Sequence, residues 1–230
     1  MKTFSLIFFL LLNFMLQAQV LLPSVQRYCE AVSKDFSAID PNRREDLDSF
    51  VVWLRQRRAE EKPWHLTFIC THNSRRSQFA QVWAKVAAVY YGLEVETYSG
   101  GTEVTACNHR TIRALERAGL VLAAVQHRPG LADNNPLYRL QYAPKAEPLS
   151  LFSKLYSDSS NPQSDFTAIL VCSSADEACP LVPGAALRFY HGYDDPKRSD
   201  GSAEEATSYD ATCRLIALEW LYVFSQLQNT

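Results

Sequence analysis

The 230-residue sequence contains no Cys-x-x-Cys pair, so a zinc ribbon is not expected although six cysteines are present. Charge of one sign is not in excess either: 23 Lys and Arg face 25 Asp and Glu, for a net charge of −2. That balance excludes a polyanion-binding surface spread over the molecule, and nucleic acid is not an expected partner. It leaves room for a small basic pocket. An apolar run long enough to cross a bilayer is also missing, because that takes about 20 residues and residues 4–12 form the longest stretch, broken at Ser5. Lys2 precedes this run, Asn13 and Gln17 close it, and Leu16-Gln17-Ala18 offers a small residue for cleavage. Residues 1–19 are therefore expected to be an export signal, which makes the folded part periplasmic or secreted with no integral membrane domain after removal. An uncleaved anchor is the alternative.

The cysteines are Cys29, Cys70, Cys107, Cys172, Cys179 and Cys213. In an exported chain an even count suggests structural disulfides. A chain of this length can build a core without staples, however, and these spacings are not those of a compact framework. Redox chemistry therefore has to be considered.

Residues 20–63 have helical spacing. Ser24 is placed to cap a first helix with Val25, Tyr28, Val32 and Phe36 on one face. Asp40-Pro41 gives a cap followed by proline at the first helical position. The second helix turns Leu47, Phe50, Val51 and Leu54 inward and its charged runs outward, and Pro63 ends it. The two form a helical hairpin appended to a main domain at residues 64–230.

From His65 the period changes. Residues 66–70 read as a strand, 77–91 as a helix burying Phe79, Val82, Trp83, Val86 and Tyr90, and 95–99 as a second strand before a Gly100-Gly101-Thr102 turn. A helix is expected over 108–118, stopped by Gly119. Residues 126–162 read as loop-rich, with room for a strand within 149–156. Strands are expected at 166–172 and 185–190, then a terminal helix at 202–227 burying Leu215, Leu218, Tyr222 and Phe224. This alternation predicts an α/β fold with a mainly parallel central sheet flanked by helices. In such sheets the ligand crevice lies beyond the carboxyl ends of the strands, where Cys70 and Cys172 both fall.

The segment FICTHNSRRS, residues 68–77, joins a strand to a helix. Successive backbone N–H groups in such a loop form a concavity for tetrahedral anions, here through Thr71, His72, Asn73, Ser74, Arg75, Arg76 and Ser77. The same field favours a Cys70 thiolate. Arg76 supplies a bidentate cation for two equatorial oxygens. Ser77 can hydrogen-bond the sulfur, and Asn73 can hold a left-handed kink. The Cys-x5-Arg spacing alone says little, since Cys107 and Arg113 repeat it without a preceding strand. A nucleophile displacing an oxygen leaving group needs an acid. Asp194-Asp195-Pro196 offers one, with Asp195 projected by the rigid proline. His72 and His191 read as loop or scaffold residues.

The loop CTHNSRRS, the SGGTE turn and the DDP loop together resemble the low-molecular-weight phosphotyrosine phosphatase superfamily, over about residues 66–227. Within it, CSSADEACP followed by YHGYDDP resembles the thioredoxin-coupled arsenate reductases, whose redox cysteine pair has the offset of Cys172 and Cys179. The resemblance implies that Cys70 attacks arsenate, Cys172 attacks the Cys70 sulfur, and Cys179 resolves that bond for an external thioredoxin-like dithiol. A phosphatase using Cys70, Arg76 and Asp195 on a phosphoester, and a non-catalytic oxyanion-binding or redox-sensing module, are the alternatives. No cofactor is expected. The family usually has glycine where His72 stands, which predicts strain there, and often cysteine where Arg75 stands, which predicts a more positive pocket. It often has glutamate where Gln81 stands, which argues against a structural potassium ion. A cysteine relay outside the cytoplasm would need its own reductant.

Overall fold

The computed structural model describes residues 20–125 and 134–228, so the expected export signal at 1–19 lies outside the described residues. Among those described, no helix is long and apolar enough to cross a membrane.

Helix α1 (Pro23–Val32) starts on Pro23, whose fixed φ suits a first helical position. Ser24 is therefore inside the helix rather than its cap, and its hydroxyl donates to the Gly119 carbonyl at 2.6 Å. A 3-10 turn (Ser33–Ala38) leads to α2 (Pro41–Ala59). Here the expected cap is present: Asp40 accepts from the amides of Asn42 at 2.9 Å and Arg43 at 3.3 Å.

Four strands, β1 (His65–Cys70), β2 (Glu96–Gly101), β6 (Phe166–Leu170) and β7 (Ala185–Tyr190), form a parallel sheet in the order β2-β1-β6-β7. Helix α3 (Arg76–Tyr90) connects β1 to β2, and a short helix α5 (Ser173–Ala178) connects β6 to β7. The chain thus leaves β1 toward one edge and β6 toward the other. This places the switch of direction, and the crevice it opens, between the ends of β1 and β6.

The remaining strands, β3 (Val121–Val125), β4 (Leu137–Gln141) and β5 (Leu149–Leu151), make a small antiparallel sheet. Only β5 falls in the window where a strand was expected. β4 lies where the sequence reads as loop, because its segment sits among prolines and only Leu137 and Leu140 are buried.

Helix α4 (His109–Arg117) follows the SGGTE turn, and α6 (Glu205–Ser225) ends the fold. The parallel sheet packs α2, α3 and α6 on one face. Phe50 of α2 stacks on Phe189 at 4.8 Å, and Phe68 meets Trp220 of α6 edge-on at 4.9 Å. Trp53 of α2 donates to Thr167 at 3.1 Å. One hydrophobic core runs from Leu21 to Leu227, so the N-terminal helices share it with the sheet. Along α6, Leu218, Tyr222 and Phe224 are buried as expected, but Leu215 is 38% exposed. The buried stripe instead runs through Tyr209, Cys213, Ile216, Ala217 and Trp220, leaving Leu215 on the outer edge.

Candidate active site

The segment between β1 and α3 folds as a cup whose carbonyls all point outward. Cys70 O accepts from Thr102 N at 3.2 Å, Thr71 O from Glu103 N at 2.8 Å, and Asn73 O from the Gln78 amide at 2.9 Å. His72 O accepts from Ser153 Oγ at 2.8 Å and Thr105 Oγ1 at 3.3 Å. Ser74 O takes Asn108 N at 3.1 Å and Thr111 Oγ1 at 3.2 Å, and Arg75 O takes Phe79 N at 2.9 Å. Every carbonyl from Cys70 to Arg75 thus accepts a hydrogen bond, and none of these bonds uses the N–H groups of residues 71–75, which stay available to an anion.

Asn73 is the keystone. Its φ is +46°, the expected left-handed kink, and its side chain is fully buried. Its Nδ2 donates to Ser77 Oγ at 2.8 Å and its Oδ1 accepts from Lys154 N at 3.1 Å. Ser77 Oγ in turn lies 3.1 Å from Cys70 Sγ. The strain expected at His72 is absent: its φ is negative, and its ring instead faces Glu103 at 3.3 Å. Close approach is required elsewhere, at Gly101, where a Cβ would lie 2.7 Å from Thr71 O and 2.9 Å from Asn73 N. Asn73→Ala is expected to cost about 3 kcal/mol in chemical denaturation, from a stranded buried amide plus the left-handed backbone. Turnover should fall with it, because Ser77 loses its orientation.

The arginines divide. Arg76 donates through Nη2 to Asp195 Oδ2 at 2.8 Å and through Nη1 to the Tyr193 carbonyl at 3.2 Å. Arg75 turns away: its Nε donates to Tyr209 OH at 2.7 Å and its Nη2 to Asp200 at 3.4 Å. The expectation that a second guanidinium makes the pocket more positive is thereby corrected, since this charge is spent on α6 and the loop before it. A cleft of about 440 Å3 opens beside the cup, lined among others by His72, Ser74, Thr105, Asn108, Tyr138 and Lys197.

Cys172 caps α5 at its start, its sulfur accepting from Ala175 N at 3.4 Å, and it lies 3.6 Å from Thr71 Oγ1 of the cup. Cys179 closes the other end of α5. Burial pushes the Cys179 thiol up, with Arg188 opposing. The remaining cysteines are unlike these. Burial pushes the thiols of Cys29, Cys107 and Cys213 up to about 12, so they remain protonated and inert. The repeated spacing at Cys107 and Arg113 therefore carries no site. None of the six cysteines is paired in a disulfide in this structure.

Gln81, where glutamate would favour a cation, is a neutral amide whose nitrogen already donates to Thr97 O at 3.2 Å. Its Oε1 is buried without a hydrogen-bond partner. The supports of the cup from Thr105, Thr111 and Ser153 were not visible in the sequence. Gln78 gave a faint signal as a polar residue on a buried helix face.

The family described as low molecular weight phosphotyrosine protein phosphatase matches residues 65–133. Arsenate reductase 2 of Staphylococcus epidermidis is 33% identical over 129 residues, which span 56% of this chain and 76% of the relative. The chain belongs to the arsenate reductase family, within the low-molecular-weight phosphatase superfamily. It is an enzyme. Another member of the family, the arsenate reductase of Bacillus subtilis, is 27% identical over 142 residues, covering 62% of this chain and 81% of that one. Among solved structures, a low molecular weight phosphotyrosine phosphatase from Vibrio cholerae has a TM-score of 0.46 at 14% identity, over 72% of this chain and 97% of the other.

Proposed function

We propose that this enzyme reduces arsenate to arsenite through a relay of Cys70, Cys172 and Cys179. The observation that carries the reading is the placing of Cys172 against Thr71 at the mouth of the anion cup, with Cys179 at the far end of the same short helix. The Cys70 thiolate attacks arsenic held by the loop amides and Arg76, an As–O bond breaks, and Asp195 protonates the departing oxygen. The Cys172 thiolate then attacks the Cys70 sulfur. The S–As bond breaks, its electron pair stays on arsenic, and As(V) leaves as arsenite. Cys179 attacks Cys172, freeing Cys70 and forming Cys172–Cys179, which an external thioredoxin-like dithiol reduces. Export of the chain by residues 1–19 would require that dithiol in the same compartment.

In the resting site the Asp195 carboxylate occupies the fork of Arg76 and competes with the incoming anion. Asp195→Asn should therefore bind phosphate or arsenate about three- to tenfold more tightly by calorimetry, while its turnover falls. Unchanged or weaker binding would remove this competition from the account. The relay itself is tested by one arsenate turnover without reductant, followed by peptide mapping: one arsenite per chain and a Cys172–Cys179 disulfide are expected. A map showing no Cys172 disulfide would reject it.

The phosphatase reading is favoured by two pairings that do not involve Cys172, Cys70 with Ser77 at 3.1 Å and Arg76 with Asp195 at 2.8 Å. In that case aryl phosphate hydrolysis survives Cys172→Ser.

A further inference from the structure

Arg43 belongs to α2, in the N-terminal extension, yet its guanidinium joins α6 to the segment that carries the candidate acid. Its Nε and Nη2 form a bidentate pair with the Glu219 carboxylate on α6 at 2.6 and 2.9 Å. Its Nη1 donates to the Gly192 carbonyl at 2.9 Å. Its Nη2 lies 2.8 Å from Nε2 of His191, which is itself 2.9 Å from Glu219. The guanidinium carbon sits 5.0 Å over the ring of Tyr193. One side chain thus grips three consecutive residues directly before Asp194 and Asp195.

The grip is well founded. Glu219 is fully buried, and although burial opposes its charge, hydrogen bonds from Arg43 and His191 hold its carboxyl down at about 2. The same segment is tied to β6 by His191 N to Leu170 O at 2.9 Å and Tyr193 N to Val171 O at 3.1 Å. Past Tyr193 the chain is anchored to the site by Arg76, through the Tyr193 carbonyl and Asp195. The contacts run unbroken from Glu219 through Arg43 and residues 191–193 to Arg76 and Asp195.

We propose that Arg43 is a positioning residue for Asp195, and that the N-terminal extension serves the reaction by fixing the acid-bearing loop against the anion cup. This rests on Asp195 being the proton donor. Arginine is required because a lysine keeps the charge but cannot serve both carboxylate oxygens of Glu219 and the Gly192 carbonyl with a planar fork.

The test compares two aryl phosphates: phenyl phosphate, whose leaving oxygen needs a proton, and difluoromethylumbelliferyl phosphate, whose leaving group does not. Arg43→Lys is expected to lower kcat on phenyl phosphate about tenfold or more and on the activated ester less than about threefold. In an Asp195→Asn background, Arg43→Lys should have no further effect on phenyl phosphate. The paired variant Arg43→Met with Glu219→Gln, which leaves no buried charge unpaired, should show the same substrate bias. Equal losses on both substrates, or no loss, in variants with native circular dichroism would overturn the proposal. If Asp195→Asn itself shows no substrate bias, the donor role fails and this inference falls with it. If Asp195→Asn shows the bias and both Arg43 variants do not, only the positioning role fails.

Discussion

Cys70→Ser is expected to abolish arsenate reduction and aryl phosphate hydrolysis together, each by about 10⁴-fold or more. The substitution leaves the cup intact in shape, because the carbonyls of residues 70–75 are held by neighbours that do not involve the sulfur. What it removes is the only soft nucleophile at the floor of the cup. A serine there has no adjacent base to activate it, since Ser77 Oγ, at 3.1 Å, already accepts from Asn73. No other cysteine can take over. Cys29, Cys107 and Cys213 are sealed in the core with thiols near 12, and Cys172 sits outside the cup against Thr71. Oxyanion binding should survive the change, measurable as phosphate binding by calorimetry. Activity that persists in Cys70→Ser would show that Cys70 is the nucleophile of neither reaction.

The second large effect is expected at Cys179. Cys179→Ser should release one arsenite per chain and then stop, lowering multiple turnover by about 10²-fold or more while sparing the first event. The chain should accumulate with a Cys70–Cys172 disulfide, detectable as a shifted peptide after alkylation. Physical geometry adds a condition. Cys172 and Cys179 bracket α5, and seven residues of helix separate their Cα atoms by roughly 10 Å. A disulfide needs about 7 Å or less, so α5 must unwind for the last step. Arg188 resists that motion in the reduced enzyme: it donates to Cys179 O and to Asp176 O, both at 2.8 Å. Oxidation of the pair should therefore free these bonds and raise amide exchange across α5. Sustained arsenite production by Cys179→Ser would reject the relay.

What could be read from the sequence was local. The strand before Cys70, the helix expected from Ser77 and found from Arg76, and the left-handed Asn73 all follow from short-range chemistry that a ten-residue window contains. The same is true of the Asp40 cap. What could not be read involves side chains that reach across the fold. Arg75 is one position from Arg76, yet Tyr209, 134 residues away, draws it out of the pocket. Arg43 sits in a run that reads as a charged outer helix face, and only the packing of α2 beside α6 brings it to Glu219, 176 residues on. Strands β3 and β4 escape the sequence for the opposite reason. Both are short and half-exposed, so they leave little alternation to detect.

The most direct test is product analysis under multiple turnover: wild-type enzyme, arsenate, thioredoxin, thioredoxin reductase and NADPH, beside an aryl phosphate assay on the same preparation. The account predicts arsenite in molar excess over enzyme, one NADPH consumed for each arsenite formed, and loss of both in Cys172→Ser. Aryl phosphate hydrolysis with no arsenite above one equivalent, unaltered by Cys172→Ser, would contradict it.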